Sequence, residues 1–215
     1  MPWMEQLESA NWNQASALAL GAYVLGCLTT GYYLVRRRTG EDIRTLGSGS
    51  VGARNVGRVL GWPGFGLTLL GDFAKGAIAV WAAHHFTKDE RLVALTMLAV
   101  TVGHVWPAQL WFRGGKGVAT SLGALAMYDF RLALGFLLLF AAAFALARRT
   151  VVAGLFAFAC LPLVGFYEQH DPAKAVALSL LGGLIWLAHR KNLADEFAAL
   201  VERRHLRPKH QPPEL

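Results

Sequence analysis

Charged residues are scarce in this sequence. Asp, Glu, Lys and Arg together make up 16% of its 215 residues, whereas soluble chains carry roughly 25%. Apolar residues account for 54%, which excludes an intrinsically disordered chain. The two cysteines, Cys27 and Cys160, lie in separate apolar stretches, so a small disulfide scaffold is excluded as well. The composition therefore indicates an integral membrane protein with short loops and no sizeable soluble domain.

Several familiar site patterns are missing too. No set of His, Cys, Asp or Glu has metal-ligand spacing, and no G-x-S-x-G nucleophile turn is present. Gly47, Gly49 and Gly52 satisfy G-x-G-x-x-G, but no convincing strand precedes them and no βαβ unit follows. Lys116 is followed by Gly117 instead of Ser or Thr, so the P-loop pattern is not met. We therefore expect neither a metal nor a bound cofactor.

Seven apolar runs, each bounded by charges, Gly or Pro, predict an all-α bundle of about seven transmembrane helices. The runs cover residues 15–35, 67–86, 92–112, 118–128, 132–147, 150–167 and 173–188. Because a spanning helix needs ~20 apolar residues, the run 118–128 is either a half-crossing or continues into the next run, and six crossings stay open as the alternative. The N-terminus lacks the positive region of a signal peptide, so the first run is expected to stay as a helix. We predict one membrane domain, residues 1–195, and a basic cytoplasmic tail, residues 196–215.

The 21 Lys and Arg residues are concentrated on one side of the predicted bundle. With seven crossings, the two most basic stretches, 36–58 and 190–209, fall on the same side, because six helices separate them. Cytoplasmic loops carry an excess of Lys and Arg, so we predict the N-terminus outside and the C-terminus in the cytoplasm. The basic residues are not gathered on a soluble module, so the net charge of +7 does not indicate nucleic-acid binding.

Three polar segments interrupt the apolar runs, and the predicted topology puts all three on the cytoplasmic side. They are RTLGSGSVGARNVGR (44–58), GHVWPAQLWFRGGKG (103–117) and HRKN (189–192). Glycine lets backbone N–H groups approach an anion, helix N-termini add partial positive charge, and Lys and Arg neutralise the remainder. These segments predict a site for a phosphorylated ligand at the membrane surface.

Charged and polar residues also occur inside the predicted helices. Asp72 and Lys75 lie on one helix face, where an isolated charge in hydrocarbon costs ~2.5–3.5 kcal/mol, so they are expected to pair, to face the bundle interior or to lie near water. An ion pair that supports the polar loops and a direct contact with substrate are both open. His104 precedes a predicted kink at Trp106–Pro107 and either orients a ligand or packs between helices.

Together the three polar segments resemble the motifs of the PlsY family, the bacterial membrane acyltransferases that use acyl phosphate to acylate glycerol 3-phosphate. The family's GSGNPGATN, with an arginine three residues later, is matched by GSGSVGARNVGR. Its GH-W-P stretch leading to F-K/R-GGKG is matched by GHVWPAQLWFRGGKGVAT, and its HR-x-N-I by HRKNL. LLGDFAKG fits the family's second helix, and order and spacing agree over residues 15–195. The chain departs from the family at Ser50 and Arg54 and after the third motif, at residues 194–196.

The resemblance implies transfer of an acyl group from acyl phosphate to the 1-hydroxyl of glycerol 3-phosphate, giving lysophosphatidic acid and phosphate in phospholipid synthesis at the bacterial inner membrane. It implies a cytoplasm-facing active site in which the catalytic residues are Ser48, Arg58, Lys116, His189 and Asn192. The accompanying substrate-binding residues are Gly47, Gly49, Gly52, Asn55, His104, Arg113, Gly114, Gly115 and Gly117. The expected partners are the two substrates and membrane lipid; the sequence does not indicate an oligomeric state.

Roles within this set follow from the chemistry that the resemblance implies. Arg58 and Lys116 are expected to bind the two phosphates, while Ser48 and the glycine N–H groups complete the cradle. His189 and Asn192 are expected to orient the acceptor or the developing oxyanion, and the proton acceptor is either His189 or the leaving phosphate.

Two other functions stay open at this stage. A diverged relative could act on another phosphorylated acceptor, because Ser50 and Arg54 alter the first motif. A transporter of a phosphorylated metabolite would also need basic segments, together with polar residues that reach the outer side. The predicted outer loops HHFTKDER, MYDFR and YEQHDPAK contain no glycine-phosphate pattern, which favours an enzyme that works at one leaflet.

Overall fold

In the computed structural model, residues 11–169 and 171–205 are described, with all of their side chains except those of residues 168, 169, 192 and 195–205. Within these ranges the regular structure is entirely helical, as the sequence predicts. The α-helices are α1 (Trp12–Cys27), α2 (Thr30–Thr39), α3 (Ala53–Phe86), α4 (Glu90–Val105), α5 (Val118–Tyr128), α6 (Phe130–Ala147), α7 (Thr150–Gln169) and α8 (Pro172–His205). Short 3₁₀ turns cover Ile43–Thr45 and Ala108–Leu110.

The described residues contain six segments that are long and apolar enough to span a membrane, and α5 is a shorter apolar helix of 11 residues. The prediction of an all-α membrane bundle is therefore confirmed. The run 118–128 forms a separate helix, because Asp129 leaves helical geometry and caps α6 by accepting from the N–H of Arg131.

Three helix boundaries differ from the predicted runs. The first run is interrupted, because the backbone leaves the helix at Leu28 and Thr29, between α1 and α2. The second helix begins at Ala53 instead of residue 67, with a kink at Gly61, whose φ of 69° lies in the left-handed region that favours glycine. Helix α8 continues past residue 188 to His205 and crosses the predicted domain boundary at residue 195. Residues 206–215 of the predicted tail lie outside the described residues.

Close contacts between backbones hold two helix pairs together. A Cβ on Gly76 of α3 would lie 2.0 Å from the carbonyl oxygen of Thr120 on α5, and a Cβ on Gly103 of α4 would lie 2.1 Å from that of Tyr23 on α1. Lipid provides no hydrophobic drive for helix association, so close approach at small residues is a typical way to pack membrane helices. These contacts fix α5 against α3 and α4 against α1.

A small apolar core connects the first two polar segments. It consists of Val35, Ile43, Val51, Val56 and Leu110. Leu110 comes from the second polar segment, Val35 belongs to α2, and the other three belong to the first segment or lie just before it. The larger core, formed by α3–α8 with Ala22 of α1, occupies the body of the bundle.

Polar contacts place the loops at two opposite ends of the bundle. At one end, Nε2 of Gln14 donates to the carbonyl oxygen of Phe86 at 2.8 Å, and Lys174 pairs with Asp129. Asp89 and Glu90, which follow Phe86, line one cavity with Tyr128, Asp171 and Lys174, so the loops before α4, between α5 and α6, and before α8 lie together with the start of α1. The three polar segments lie at the other end.

Candidate functional site

The side chain of Asn55 organises the serine loop, which we define as residues 47–52. Asn55 is 2% exposed, and its Oδ1 accepts a hydrogen bond from the N–H of Ser48 at 2.9 Å. Its Nδ2 donates to the carbonyl oxygens of Leu46 and Ser50, both at 2.9 Å. Because these bonds use the donor and the acceptor of the amide, any role of Asn55 in substrate binding would act through the shape of the loop.

Glycines determine the backbone conformation of the serine loop. Gly47 and Gly49 have φ values of 56° and 70°, and a Cβ on Gly47 would lie 2.3 Å from Oδ1 of Asn55. Gly52 is the N-cap of α3 and has no side-chain capping bond, so the first N–H groups of α3 can face an anion. Ser48 lies between these glycines and is exposed.

Two exposed arginines follow on the first turns of α3. Arg58 adds positive charge near the helix N-terminus, where the helix dipole already favours an anion. Nη1 of Arg54 donates to Oγ1 of Thr150 at 2.7 Å. Oγ of Ser50 accepts from the N–H of Gly52 at 3.3 Å. Both departures from the family motif are thus accommodated, one by a contact with α7 and the other by a turn within the loop.

The lysine loop, residues 113–117, folds back along the end of α4. The N–H of Gly114 donates to the carbonyl oxygen of Val105 at 3.1 Å, and the N–H of Gly115 donates to that of His104 at 3.0 Å. These two N–H groups are therefore used inside the protein, and any part they play in substrate binding comes from the shape of the loop. Lys116 follows directly and is half-buried.

Packing explains the glycines on both sides of Lys116. A Cβ on Gly115 would lie 2.0 Å from Nε2 of His104. Gly117 has a φ of 82°, and a Cβ there would lie 2.7 Å from Cδ1 of Ile185 on α8. His104 is 3% exposed and lies beneath the loop, which corresponds to the packing alternative of the sequence analysis. Arg113, at the start of the loop, is exposed.

His189 brings the third polar segment to the lysine loop. It is buried, and its Nδ1 lies 2.8 Å from the carbonyl oxygen of Ile185. Since a carbonyl oxygen only accepts, Nδ1 carries a proton and the neutral ring keeps a lone pair on Nε2. Since a Cβ on Gly117 would lie 2.7 Å from Cδ1 of Ile185, the residue after Lys116 packs against the turn of α8 that precedes His189. Asn192 is three residues further along α8, and its side chain lies outside the described residues.

Arg44 connects the first polar segment to the second, a role that the sequence analysis did not assign. Its Nη1 donates to the carbonyl oxygen of Leu110 at 2.8 Å, and its Nη2 pairs with Oδ2 of Asp42 at 2.6 Å. The hydrogen bond from Arg44 lowers the pKa of the Asp42 carboxyl below its usual 3.8. The Asp-x-Arg spacing is the sequence signal that could have indicated the pair of Asp42 and Arg44.

Two consecutive aromatic residues stand at the tip of the second segment. Trp111 and Phe112 have φ values of 55° and 57°, a conformation that costs energy in residues with a Cβ and often occurs at functional sites. Both side chains are exposed. The sequence does not predict this backbone conformation, since nothing in the dipeptide itself favours the left-handed region.

The candidate site is therefore rich in cationic groups and contains few side chains that could act as a catalytic base. Ser48, Arg58, Lys116 and His189 lie at one end of the bundle, on segments joined by the Arg44 hydrogen bond and by the packing of Gly117 against Ile185. Among the described residues, no group of three or more His, Cys, Asp or Glu could hold a metal ion. Such an arrangement can hold phosphate groups and stabilise negative charge that develops between them.

Comparison with known proteins gives the same picture. A family model described as glycerol-3-phosphate acyltransferase matches residues 16–199. The chain is 42% identical over 187 residues to glycerol-3-phosphate acyltransferase 1 of Desulfitobacterium hafniense, covering 87% of this chain and 93% of the relative. It is 39% identical over 189 residues to glycerol-3-phosphate acyltransferase of Gloeobacter violaceus, covering 85% and 91%.

Two solved structures share the fold. The crystal structure of PlsY (YgiH), an integral membrane glycerol 3-phosphate acyltransferase, in its glycerol 3-phosphate form, matches with a TM-score of 0.79 and 33% identity over 86% of this chain and 92% of that chain. The lysophosphatidic acid form of the same protein matches with a TM-score of 0.76 and 31% identity over the same shares. The resemblance stated from the motifs is thus confirmed, and this chain belongs to the PlsY family of multi-pass integral membrane glycerol-3-phosphate acyltransferases.

Proposed function

We propose that this enzyme transfers the acyl group of an acyl phosphate to the 1-hydroxyl of glycerol 3-phosphate, giving lysophosphatidic acid and inorganic phosphate. The observation that carries the proposal is the meeting of the serine loop, the lysine loop and the turn of α8 that bears His189 at one end of the bundle. Both reactants are phosphate anions, so the protein must offset their repulsion before they can react. Holding two reactants in place supplies a large part of such a rate enhancement.

The positive groups divide between the two phosphates in this proposal. Arg58 and the uncapped N-terminus of α3 lie on one segment, and Lys116 lies on another, in the lysine loop. Two separated cationic positions suit two separate phosphate groups better than one. Arg113 is exposed at the start of the lysine loop and adds to the positive potential there.

The reaction itself requires no covalent enzyme intermediate, because an acyl phosphate is already activated. The 1-hydroxyl oxygen forms a bond to the acyl carbonyl carbon, and the bond from that carbon to the phosphate oxygen breaks, with the electron pair leaving on phosphate. Ser48, Asn192 and the cationic groups stabilise the tetrahedral oxyanion. The hydroxyl proton goes to Nε2 of His189 or to the departing phosphate.

The orientation in the membrane is also a proposal. Residues 36–58, 148–149 and 190–191 contain most of the basic residues that border the bundle, and Arg54 joins the first of these stretches to Thr150. The excess of Lys and Arg on cytoplasmic loops supports a cytoplasmic active site, an outer N-terminus and a location in the bacterial cell membrane. We keep residues 1–195 as one membrane domain followed by a basic tail.

The proposal is tested with purified protein, an acyl phosphate and glycerol 3-phosphate, with inorganic phosphate and the lysolipid both measured. Lys116→Ala is expected to lower kcat on the order of 100-fold, as loss of one group that stabilises developing charge does. Lys88→Ala is the matched control, because Lys88 is exposed at the opposite end and its loss should leave turnover unchanged. Ser48→Thr should retain more activity than Ser48→Ala if the hydroxyl is needed as a hydrogen-bonding group.

Different outcomes would contradict different parts of the proposal. Equal turnover with an acyl thioester and no phosphate release would exclude acyl phosphate as the donor. Acylation of another phosphorylated alcohol in preference to glycerol 3-phosphate would support a diverged relative. Full activity in Lys116→Ala would remove Lys116 from the site.

A further inference from the structure

The ammonium group of Lys75 lies in a closed polar cluster below the lysine loop. The side chain is 5% exposed, and its Nζ donates to the carbonyl oxygens of Gly26 at 2.9 Å and Leu28 at 2.8 Å. It also lies 2.8 Å from Nδ1 of His104 and 3.1 Å from Oδ1 of Asp72. Lys75 thus joins the break between α1 and α2 to α3 and α4.

This geometry fixes the protonation pattern of the His104 ring. An ammonium group has three N–H donors and no acceptor, and these match the three nearest neighbours of Nζ, the two carbonyl oxygens and Nδ1 of His104, so Nδ1 accepts from Lys75. The ring is then neutral, with its proton on Nε2. Asp72 balances the buried charge of Lys75, and its Oδ1 is within 3.4 Å of the backbone N–H of Thr30 at the start of α2.

His104 connects this cluster to the lysine loop. Its Nε2 edge lies where only the hydrogen atoms of Gly115 leave room, since a Cβ there would come within 2.0 Å. Its own carbonyl oxygen accepts from the N–H of Gly115 at 3.0 Å. Gly115 is therefore held by both the ring and the backbone of His104, and Lys116 is the next residue.

We propose that Asp72, Lys75 and His104 are positioning residues for Lys116. Lys75 holds the His104 ring in one rotamer and tautomer, the ring supports Gly115, and Gly115 sets the position from which the Lys116 side chain reaches a phosphate group. The inference rests on the proposed function, in which Lys116 binds a phosphate. All three residues are at least 95% buried, so the proposal assigns them no contact with substrate.

The chain offers a matched control for a purely structural effect. Lys174 is also nearly buried and pairs with the carboxylate of Asp129, but this pair lies at the opposite end of the bundle. Lys75→Met and Lys174→Met each remove one buried ammonium and keep a side chain of similar length. Both should lower the unfolding midpoint in detergent, so stability alone does not distinguish them.

The first test separates the two variants by kinetics. Lys75→Met is expected to lower kcat/KM for glycerol 3-phosphate by about tenfold to 100-fold, because a displacement of 1 Å at a reacting group can cost that much. Lys174→Met should keep the kcat and KM of the unaltered protein. Equal kinetic constants in both variants would overturn the inference.

The second test uses the contact between Gly115 and His104. Gly115→Ala places a methyl group into the His104 ring and is expected to reduce kcat/KM strongly. Adding His104→Ala removes the obstacle, so the double variant should recover to the level of His104→Ala alone. If the double variant is no more active than Gly115→Ala, the ring does not support the loop and the inference is wrong.

A binding measurement keeps this inference separate from the proposed reaction. Inorganic phosphate should raise the unfolding midpoint of the unaltered protein and of Lys174→Met, but much less that of Lys75→Met. Should the unaltered protein fail to acylate glycerol 3-phosphate, the proposed function is wrong, and the phosphate-induced shift alone decides the inference. A shift of the same size in all three proteins would refute it.

Discussion

Replacing Asn55 by leucine is the most direct test of how the serine loop is held. Leucine has nearly the same shape but cannot form the three hydrogen bonds at 2.9 Å that join the Asn55 amide to Ser48, Leu46 and Ser50. A typical intramolecular hydrogen bond contributes about 1 kcal/mol net, and more when a buried partner is left unsatisfied. The preference for the observed loop conformation should therefore fall by about 3 kcal/mol.

This loss translates into a measurable change in turnover. Since about 1.4 kcal/mol corresponds to a factor of ten, the population of loops with Ser48 in place should fall on the order of 100-fold, and kcat/KM for glycerol 3-phosphate should fall with it. The helix α3 that carries Asn55 should persist, because its packing against α5 does not involve this side chain. The expected result is a large kinetic defect with a modest loss of stability.

The assay combines phosphate release with thermal unfolding in detergent. Cys27 is buried and Cys160 is half-buried, and both are free thiols, so a thiol-reactive dye reports unfolding without added labels. Asn11→Ala is the control, because Oδ1 of Asn11 only caps α1 at the other end of the bundle. An Asn55→Leu variant that unfolds earlier but keeps the kcat/KM of the unaltered protein would refute the reasoning, since the loop would then not depend on the amide.

Two further predictions concern topology and acid stability. A membrane-impermeant thiol reagent should label Glu41→Cys only from the cytoplasmic side and Lys88→Cys only from outside; labelling of both from one side would contradict the orientation. The pKa of Asp42 is lowered by its hydrogen bond to Arg44, so this pair stabilises the fold above about pH 4 and the stabilisation is lost as the pH falls through the lowered pKa. The unfolding midpoint of the unaltered protein should consequently fall more steeply below pH 4 than that of Asp42→Asn, and parallel curves would show that the pair does not contribute.

Apolar runs and charge asymmetry predicted most of the architecture correctly. The helices, the shortness of the run 118–128 and the common end of the three polar segments all follow from hydrophobic length and the parity of crossings. The break at Leu28 and Thr29 did not, because the apolar run continues through it. The carbonyl oxygens of Gly26 and Leu28 at the break accept hydrogen bonds from Lys75, a residue on another helix that no local pattern could identify.

The same limit applies to the candidate site: the residue types predicted its chemistry, but not the contacts of the individual residues. Glycines and cations indicated a phosphate site, and the motifs indicated which family it belongs to. The tasks of individual residues depend on partners that the sequence does not reveal. Asn55 bonds to its own loop, and the N–H groups of Gly114 and Gly115 point to α4. His104, which the sequence left between two roles, lies under the loop because Lys75 and Gly115 enclose it.

The shortness of α5 has a consequence for where acyl transfer takes place. Its 11 residues rise about 16 Å, roughly half of the ~30 Å hydrocarbon thickness, and its far end at Tyr128 lies beside the pair of Asp129 and Lys174. In the orientation proposed above, Lys116, just before α5 begins, would lie below the level of the inner headgroups. A lipid-soluble donor would then deliver its carbonyl sideways from the bilayer without lifting its chain into water, while the soluble acceptor would enter from the cytoplasm.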